Sequence, residues 1–220
     1  MNITQAMIEQ AFHVGRHAQL EEVLPRLIHC ATEHSAQGLA YQGFALTKTN
    51  EGAGHPQVVD LNGQAVAESR LTWLAPDRLL DWLNLQVATV SDEQAFCLPI
   101  STLIASARLG LVARTLDYAH QHLQNRKSFG QKTTRHQLIK ASFSDIYGDV
   151  TLLNQQLSLR VENTDHQGLE TEHQAITRLS NQAEKLMGGH GFLMGATHTV
   201  SHLSMLLYSV FGKQPSTEAV

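Results

Sequence analysis

Apolar residues recur with helical spacing over most of the chain. Met7, Ala11 and Val14 mark a helix over 5–14, and Leu20, Leu24, Leu27 and Ala31 mark a second over 20–34. Pro25 is expected to break that second helix or start it afresh, because proline lacks an amide donor and crowds the preceding turn. The period then shortens. Gly43-Phe-Ala-Leu-Thr47 reads as a strand, and the Asn62-Gly63 pair inside "VVDLNGQAVA" predicts a hairpin. Leu71-Thr-Trp-Leu74 adds another strand, so the β segment is small and falls short of a full sheet domain. After Pro99 helical spacing returns and persists. Leu103, Ala107, Leu111, Leu116 and Leu123 carry a broad stripe to about residue 124. Leu138, Ile146, Val150, Leu153 and Leu157 carry a second helix, and Ile176, Leu179, Ala183 and Leu186 a third that stops at Gly188-Gly189. Val200, Leu203, Leu207 and Val210 carry the fourth. Four amphipathic helices with short links predict a mainly α chain built on an antiparallel four-helix bundle, preceded by short helices and a small β segment. The expected organisation is helices in 1–42, the β segment in 43–75, the bundle in 76–214 and a tail in 215–220.

Composition narrows the function classes. A chain of 220 residues with 42% hydrophobic content can bury a proper core. Net charge of -4 and a pI near 6.3 leave no global basic field for nucleic acid. Cys30 and Cys97 lie far apart and outside any CxxC pair, which suits a reducing compartment. The opening MNITQAMIEQAF lacks a basic stretch followed by an apolar run, and no apolar stretch is long enough to span a bilayer. A soluble, cytoplasmic protein without a membrane partner is expected. The 13 histidines invite a metal reading, with His13/His17 and His198/His202 each one helical turn apart. Yet HExxH is absent, and Glu170-Thr-Glu-His173 is a single ExxH where a carboxylate-bridged dimetal bundle needs two. Surface or core histidines are the expectation, with no metal.

Two stretches carry candidate chemistry. "LMGGHGF", Leu186 to Phe192, sits between two helical patterns. Its glycines serve either as a helix C-cap or as a loop whose bare amides approach a phosphate at the start of the next helix. "NRKSFGQKTTRHQ", 125–137, gathers Arg126, Lys127, Lys132 and Arg135 around Phe129 and Gly130. A solvated basic turn has little use for an aromatic ring, whereas cations beside an aromatic plane suit a nucleotide and its phosphates.

"LDYAHQHLQNRKSFGQKTTRHQLIKASFSDIY" followed by "AEKLMGGHGF" resembles the C-terminal helical domain of the acyl-CoA dehydrogenases, which are FAD-dependent flavoproteins. Arg126, Phe129 and Gly130 match that family's RxxFG turn, Gln137 the glutamine that follows it, and Gly188, Gly189, Gly191 and Phe192 its QxxGGxG[FY] element. "FALTKTNEGAG", 44–54, is similar to the flavin-contacting ALTEPxAGSD with one residue inserted, and "LAPDRLL", 74–80, to the VPxxxLL leading out of the middle β domain. The resemblance implies that Arg126, Gly188 and Gly189 meet FAD phosphates, with Phe129 and Gln137 near the nucleotide portion. It also implies that Lys185, standing where the family has Gln, borders the same site and that Thr47 contacts the flavin. FAD spans a subunit interface in that family, so a homodimer or a heteromer with a related subunit is implied.

The departures bear on activity. Too few residues lie between 54 and 75 to close the family's β barrel, and the helices before Leu46 are shortened. His136 replaces the Phe before Gln137. The glutamate that serves as base in many members aligns with Gln214, and glutamine cannot take the α proton of a thioester. The catalytic base is therefore unknown. Two functions stay open at this point. One is a flavoprotein subunit acting on the CH–CH group of an acyl thioester with a full-length catalytic partner. The other is a non-catalytic relative that keeps the bundle as an interaction or regulatory module.

Overall fold

The computed structural model describes residues 3–49, 56–91 and 97–213. Gln214 and the tail to 220 lie outside the described residues. Two helices open the chain, α1 (Gln5–His17) and α2 (Leu20–Thr32). Pro25 sits inside α2 without interrupting it, against expectation. An interior proline costs about 3 kcal/mol. Burial of Val23, Leu24, Leu27 and Ile28, at about 1.5–3 kcal/mol each, outweighs that cost.

A five-stranded sheet follows: β1 (Gly38–Tyr41), β2 (Phe44–Lys48), β3 (Val58–Val59), β4 (Leu71–Trp73) and β5 (Leu85–Val90), in the order β3-β1-β2-β5-β4. Only the β3–β1 pairing is parallel. Strands therefore run from 38 to 90, beyond 43–75 on both sides. Leu39-Ala-Tyr41 is too short an apolar run to betray a strand, and β5 buries Leu85, Ala88 and Val90 without strict alternation. The Asn62-Gly63 turn is present, but its ladder shrinks to one bridge, Val59 to Ala65. Asp60 closes the loop by accepting from the amides of Asn62 and Gln64 at 2.8 and 2.9 Å. The Leu74–Leu80 stretch does not lead out of the sheet. Asp77 caps a single-turn helix, α3 (Arg78–Trp82), and the chain re-enters the sheet as β5.

Four long helices complete the fold: α4 (Leu98–Gln124), α5 (Gln137–Glu162), α6 (Glu170–Lys185) and α7 (Thr197–Leu207), the last continued by a π turn, Tyr208–Gly212. The bundle expectation holds, except that α4 is central rather than amphipathic. Every residue from Ile100 to Leu116 is buried. One face, with Leu103, Ile104, Ala107 and Leu111, joins α1, α2, the sheet and α7 in one core. The other, with Ala105, Leu109, Val112 and Leu116, packs on α5 and α6 in a second. The α1–α4 contact is close enough to exclude a side chain. A Cβ on Gly110 would stand 2.1 Å from the Phe12 carbonyl oxygen, and one on Gly15 the same distance from that of Ala107.

Candidate functional site

The basic turn after α4 folds as a small hairpin. Lys127–Ser128 pairs with Gln131–Lys132, and Phe129 and Gly130 form the two-residue tip at φ of 50° and 78°. A left-handed Phe costs about 1–2 kcal/mol, yet its ring is 99% exposed. His136 locks the hairpin. Its Nδ1 accepts from the Gln131 amide at 3.1 Å, which leaves Nε2–H to donate to Ser128 Oγ at 2.9 Å. The Phe129 ring stands edge-on to His136, 6.1 Å between centroids. Gln137 follows as the first, exposed residue of α5.

Arg126 lies exposed at the base of this hairpin and turns back along α4. Its Nη1 donates to His122 Nε2 at 2.9 Å. A guanidinium only donates, so His122 is neutral and carries its proton on Nδ1. Partial burial, then His190 and then Arg126, hold the His122 pKa below its ordinary value. The His122 ring stacks on His190 at 4.4 Å and 19°. His190 belongs to the glycine stretch, so two motifs that begin more than sixty residues apart meet through one histidine pair.

That stretch, Gly188–Phe192, is a 3-10 turn and not an open loop. Gly188 has φ of +56°, and nothing lies within 4 Å of a Cβ placed on it or on Gly189. Both are exposed, and Lys185 closes α6, also exposed, just ahead of them. Gly191 is buried, and a Cβ there would come 2.5 Å from Thr197 Oγ1. The glycines do not open α7 as expected. Leu193–Ala196 intervene, and Thr197 is buried. The backbone open to a ligand is that of Gly188 and Gly189, not the first turn of α7. Phe192, Leu193 and Met194 are exposed around it, and Gly195 abuts the Trp82 ring. A cleft of about 570 Å³ lies alongside, lined by Gln121, Gly195, Trp82, Tyr118, Arg16 and Arg114 among others.

Thr47 is not part of this arrangement. It is fully buried in β2, its hydroxyl donates to the Lys48 carbonyl at 3.2 Å, and its Cβ lies against Gly38. As it stands, its hydroxyl offers nothing to a surface ligand.

A polar network that sequence reasoning missed lies inside the bundle. Arg108 is fully buried in α4. It donates to Ser204 Oγ (3.1 Å), Thr177 Oγ1 (2.7 Å) and His173 Nδ1 (2.8 Å), and lies 4.9 Å over the Tyr208 ring. Because Arg108 donates to Nδ1, His173 carries its proton on Nε2, which meets Ser101 Oγ at 2.9 Å, and Ser101 donates to the Gly212 carbonyl at 2.7 Å. Burial first, then Arg108, pushes the His173 pKa down to about 3. Tyr208, pushed up to about 12 by burial and by Glu170, donates to that carboxylate at 2.7 and 2.8 Å. The two ends of the ExxH pattern therefore serve this network. Glu172, between them, binds Arg160 at 2.6 Å. Among the described residues no group of three or more His, Cys, Asp or Glu side chains is placed to hold a metal. An arginine interrupting an apolar helical pattern was the available signal for this network. For the surface site, the signal was His122, one turn before Arg126.

Among the described residues no helix is long and apolar enough to cross a membrane. Residues 102–212 match the family described as "Acyl-CoA dehydrogenase, C-terminal domain". No curated protein matches the chain. Of solved structures, the acyl-CoA dehydrogenase from Slackia heliotrinireducens DSM 20476 is similar at 13% identity and a TM-score of 0.54, over 93% of this chain and 70% of that one. A putative acyl-CoA dehydrogenase from Mycobacterium smegmatis is similar at 15% and 0.52, over 79% and 58%. A glutaryl-CoA dehydrogenase from the same organism, in complex with FADH2, is similar at 12% and 0.51, over 79% and 56%. The chain thus spans less than three fifths of the two mycobacterial proteins. At these identities the likeness is one of fold.

Proposed function

The chain belongs to the acyl-CoA dehydrogenase family through its C-terminal domain, and on that footing we propose that it is a flavoprotein subunit of an oxidoreductase acting on the CH–CH group of an acyl thioester, working with a full-length catalytic partner. The observation that carries the reading is the meeting of Arg126 with the glycine turn through the stacked His122 and His190. Arg126 supplies a charge-assisted bond to a phosphate oxygen, and the backbone of the exposed Gly188 and Gly189, with nothing within 4 Å of a Cβ placed on either, leaves room for a phosphate to approach. Phe129 offers an exposed ring face for stacking, and Gln137 and Lys185 add polar contacts at the edge. FAD, when bound, supplies the electron acceptor for the acyl group. The phosphate end of such a cofactor fits these residues, whereas the buried Thr47 does not fit the flavin end.

Abstraction of an α proton needs a carboxylate. Gln214 is not one, and Glu172 is engaged with Arg160. On this reading the partner provides the base. The burial of Thr47 favours a second reading, a relative that keeps the bundle for interaction or regulation without redox chemistry.

Visible spectra decide between them. The chain mixed with a full-length family member is expected to retain flavin. Under anaerobic acyl-CoA titration the chain with FAD and no partner is expected not to bleach, and any bleaching in the mixture is expected to survive Gln214→Ala. Rapid bleaching by the chain alone overturns the dependence on a partner, and failure to retain flavin in any mixture favours the non-redox reading.

A further inference from the structure

Arg108 is fully buried, and among the described residues no carboxylate forms an ion pair with it. Its guanidinium has five N–H donors and relies on neutral acceptors for all of them. Nε donates to Ser204 Oγ, and Nη1 to His173 Nδ1 and, at 3.3 Å, to the His173 carbonyl. Nη2 donates to Thr177 Oγ1. The acceptor left for the fifth N–H is the thioether sulfur of Met205, 3.7 Å from Nη2. Thr177 Oγ1 lies 3.6 Å from the same sulfur. A thioether is a weak acceptor, so the buried cation is least well compensated on this side. Burial pulls the Arg108 pKa down to about 10, with Tyr208 and Glu170 opposing the fall.

Met205 is also where the network reaches solvent. It is 40% exposed, while Ser204 and His173 are buried. Among the described methionines only Met194, at 41%, is as open. An accessible thioether is a substrate for peroxides, and this one already faces two donors.

We propose that Met205 is a site of reversible oxidation by hydroperoxides, and that its sulfoxide oxygen completes the hydrogen bonding of Arg108. With hydrogen peroxide, the sulfur lone pair attacks one oxygen, and the S–O bond forms as the O–O bond breaks. The departing hydroxide takes the proton of the transferred hydroxyl and leaves as water. Sulfur loses two electrons and the peroxide gains them. The new oxygen is a far stronger acceptor than sulfur, and the flexible methionine torsions let it turn to the Nη2–H and the Thr177 hydroxyl. Methionine oxidation ordinarily disrupts packing, because it sets a polar group among apolar ones. Here the surroundings are donors, so the oxygen ties α7 to α4 and α6 and strengthens the bundle. A methionine sulfoxide reductase restores the thioether, with a dithiol as reductant and water as the second product.

Peroxide treatment of the full chain tests it, with the peptide containing Met205 followed by mass spectrometry and the intact protein by thermal melting. Met205→Leu keeps every other oxidisable side chain and serves as the reference. On complete conversion of Met205, the native chain is expected to gain about 2–4 °C in melting temperature over the equally treated reference. Reductase and dithiol are expected to remove that gain. Met205→Gln, whose amide oxygen accepts from Nη2, is expected to melt above Met205→Leu with no peroxide present. Position 205 is exposed, so both variants are expected to fold, and matching circular dichroism verifies it. Failure of Met205 to convert under conditions that oxidise Met194 overturns the site. Conversion with unchanged or lowered melting overturns the bond to Arg108.

Discussion

The burial of His173 beside Arg108 makes the stability of this bundle depend on pH. The folded protein holds it neutral because protonating Nδ1 would set an imidazolium 2.8 Å from the Arg108 guanidinium in a buried site. Its pKa falls from the ordinary 6.5 to about 3. In the unfolded chain the ordinary value returns. Between these values the unfolded state binds a proton that the folded state refuses, so stability falls as pH drops through the window and is fully present above it. Integrating from pH 7 to pH 5 with those two values gives a loss of about 2 kcal/mol from this one residue. For a chain of this size that is a drop of about 4–8 °C in melting temperature. Most carboxylates titrate below pH 5, so they contribute little over the same range. The assay is urea unfolding at both pH values for the native chain and for His173→Gln, whose amide can still accept from Arg108 and donate to Ser101. The variant is expected to lose about 1–3 kcal/mol at pH 7 through imperfect geometry. It is also expected to lose about 2 kcal/mol less than the native chain on going to pH 5. The depressed His17, His122 and His166 are common to both proteins and cancel in the difference. Equal pH dependence in the two proteins refutes the buried neutral histidine.

Two further expectations follow from the geometry. On the proposed reading, Arg126→Ala removes a charge-assisted phosphate bond of about 1.5–3 kcal/mol, so flavin retention in the assembled complex is expected to weaken about 10–150-fold. Melting of the flavin-free chain should barely change, since Arg126 is exposed, and unchanged flavin affinity would mark the hairpin as a solvated basic turn. Gly110→Ala places a methyl 2.1 Å from a main-chain oxygen that no rotamer change can move. It is expected to cost about 1–3 kcal/mol or more in urea unfolding, whereas Gly189→Ala, opening into free space, should stay within about 0.5 kcal/mol. Equal effects of the two substitutions would show that α1 and α4 are not in the close contact described.

The helices were legible because their information is local. A run such as Ile176, Leu179 and Ala183 repeats the helical period and names the buried face of α6 without reference to any other element. The same holds for the family likeness, since Arg126-Lys-Ser-Phe-Gly130 and Gly188-Gly-His-Gly191 are short motifs read in order along the chain. Burial on every side is different, because it depends on neighbours. Nothing in Ser101, Ser106, Arg108 or Thr115 announces that α4 is the central helix, and the short apolar runs of β1 and β5 acquire meaning only when paired across β2. Thr47 lies in a recognisable motif, yet packing against Gly38 decided that its hydroxyl faces inward. His122 and His190 carry no mutual signal over the sequence that separates them. Their stacking, and with it the union of the basic hairpin and the glycine turn, is set by where the end of α4 comes to rest against the turn that follows α6. Sequence determined which residues tend to coil or turn, because those tendencies reside in a few adjacent side chains. Tertiary structure alone decided which of them meet and which are sealed from solvent, because contact and desolvation are properties of elements packed together.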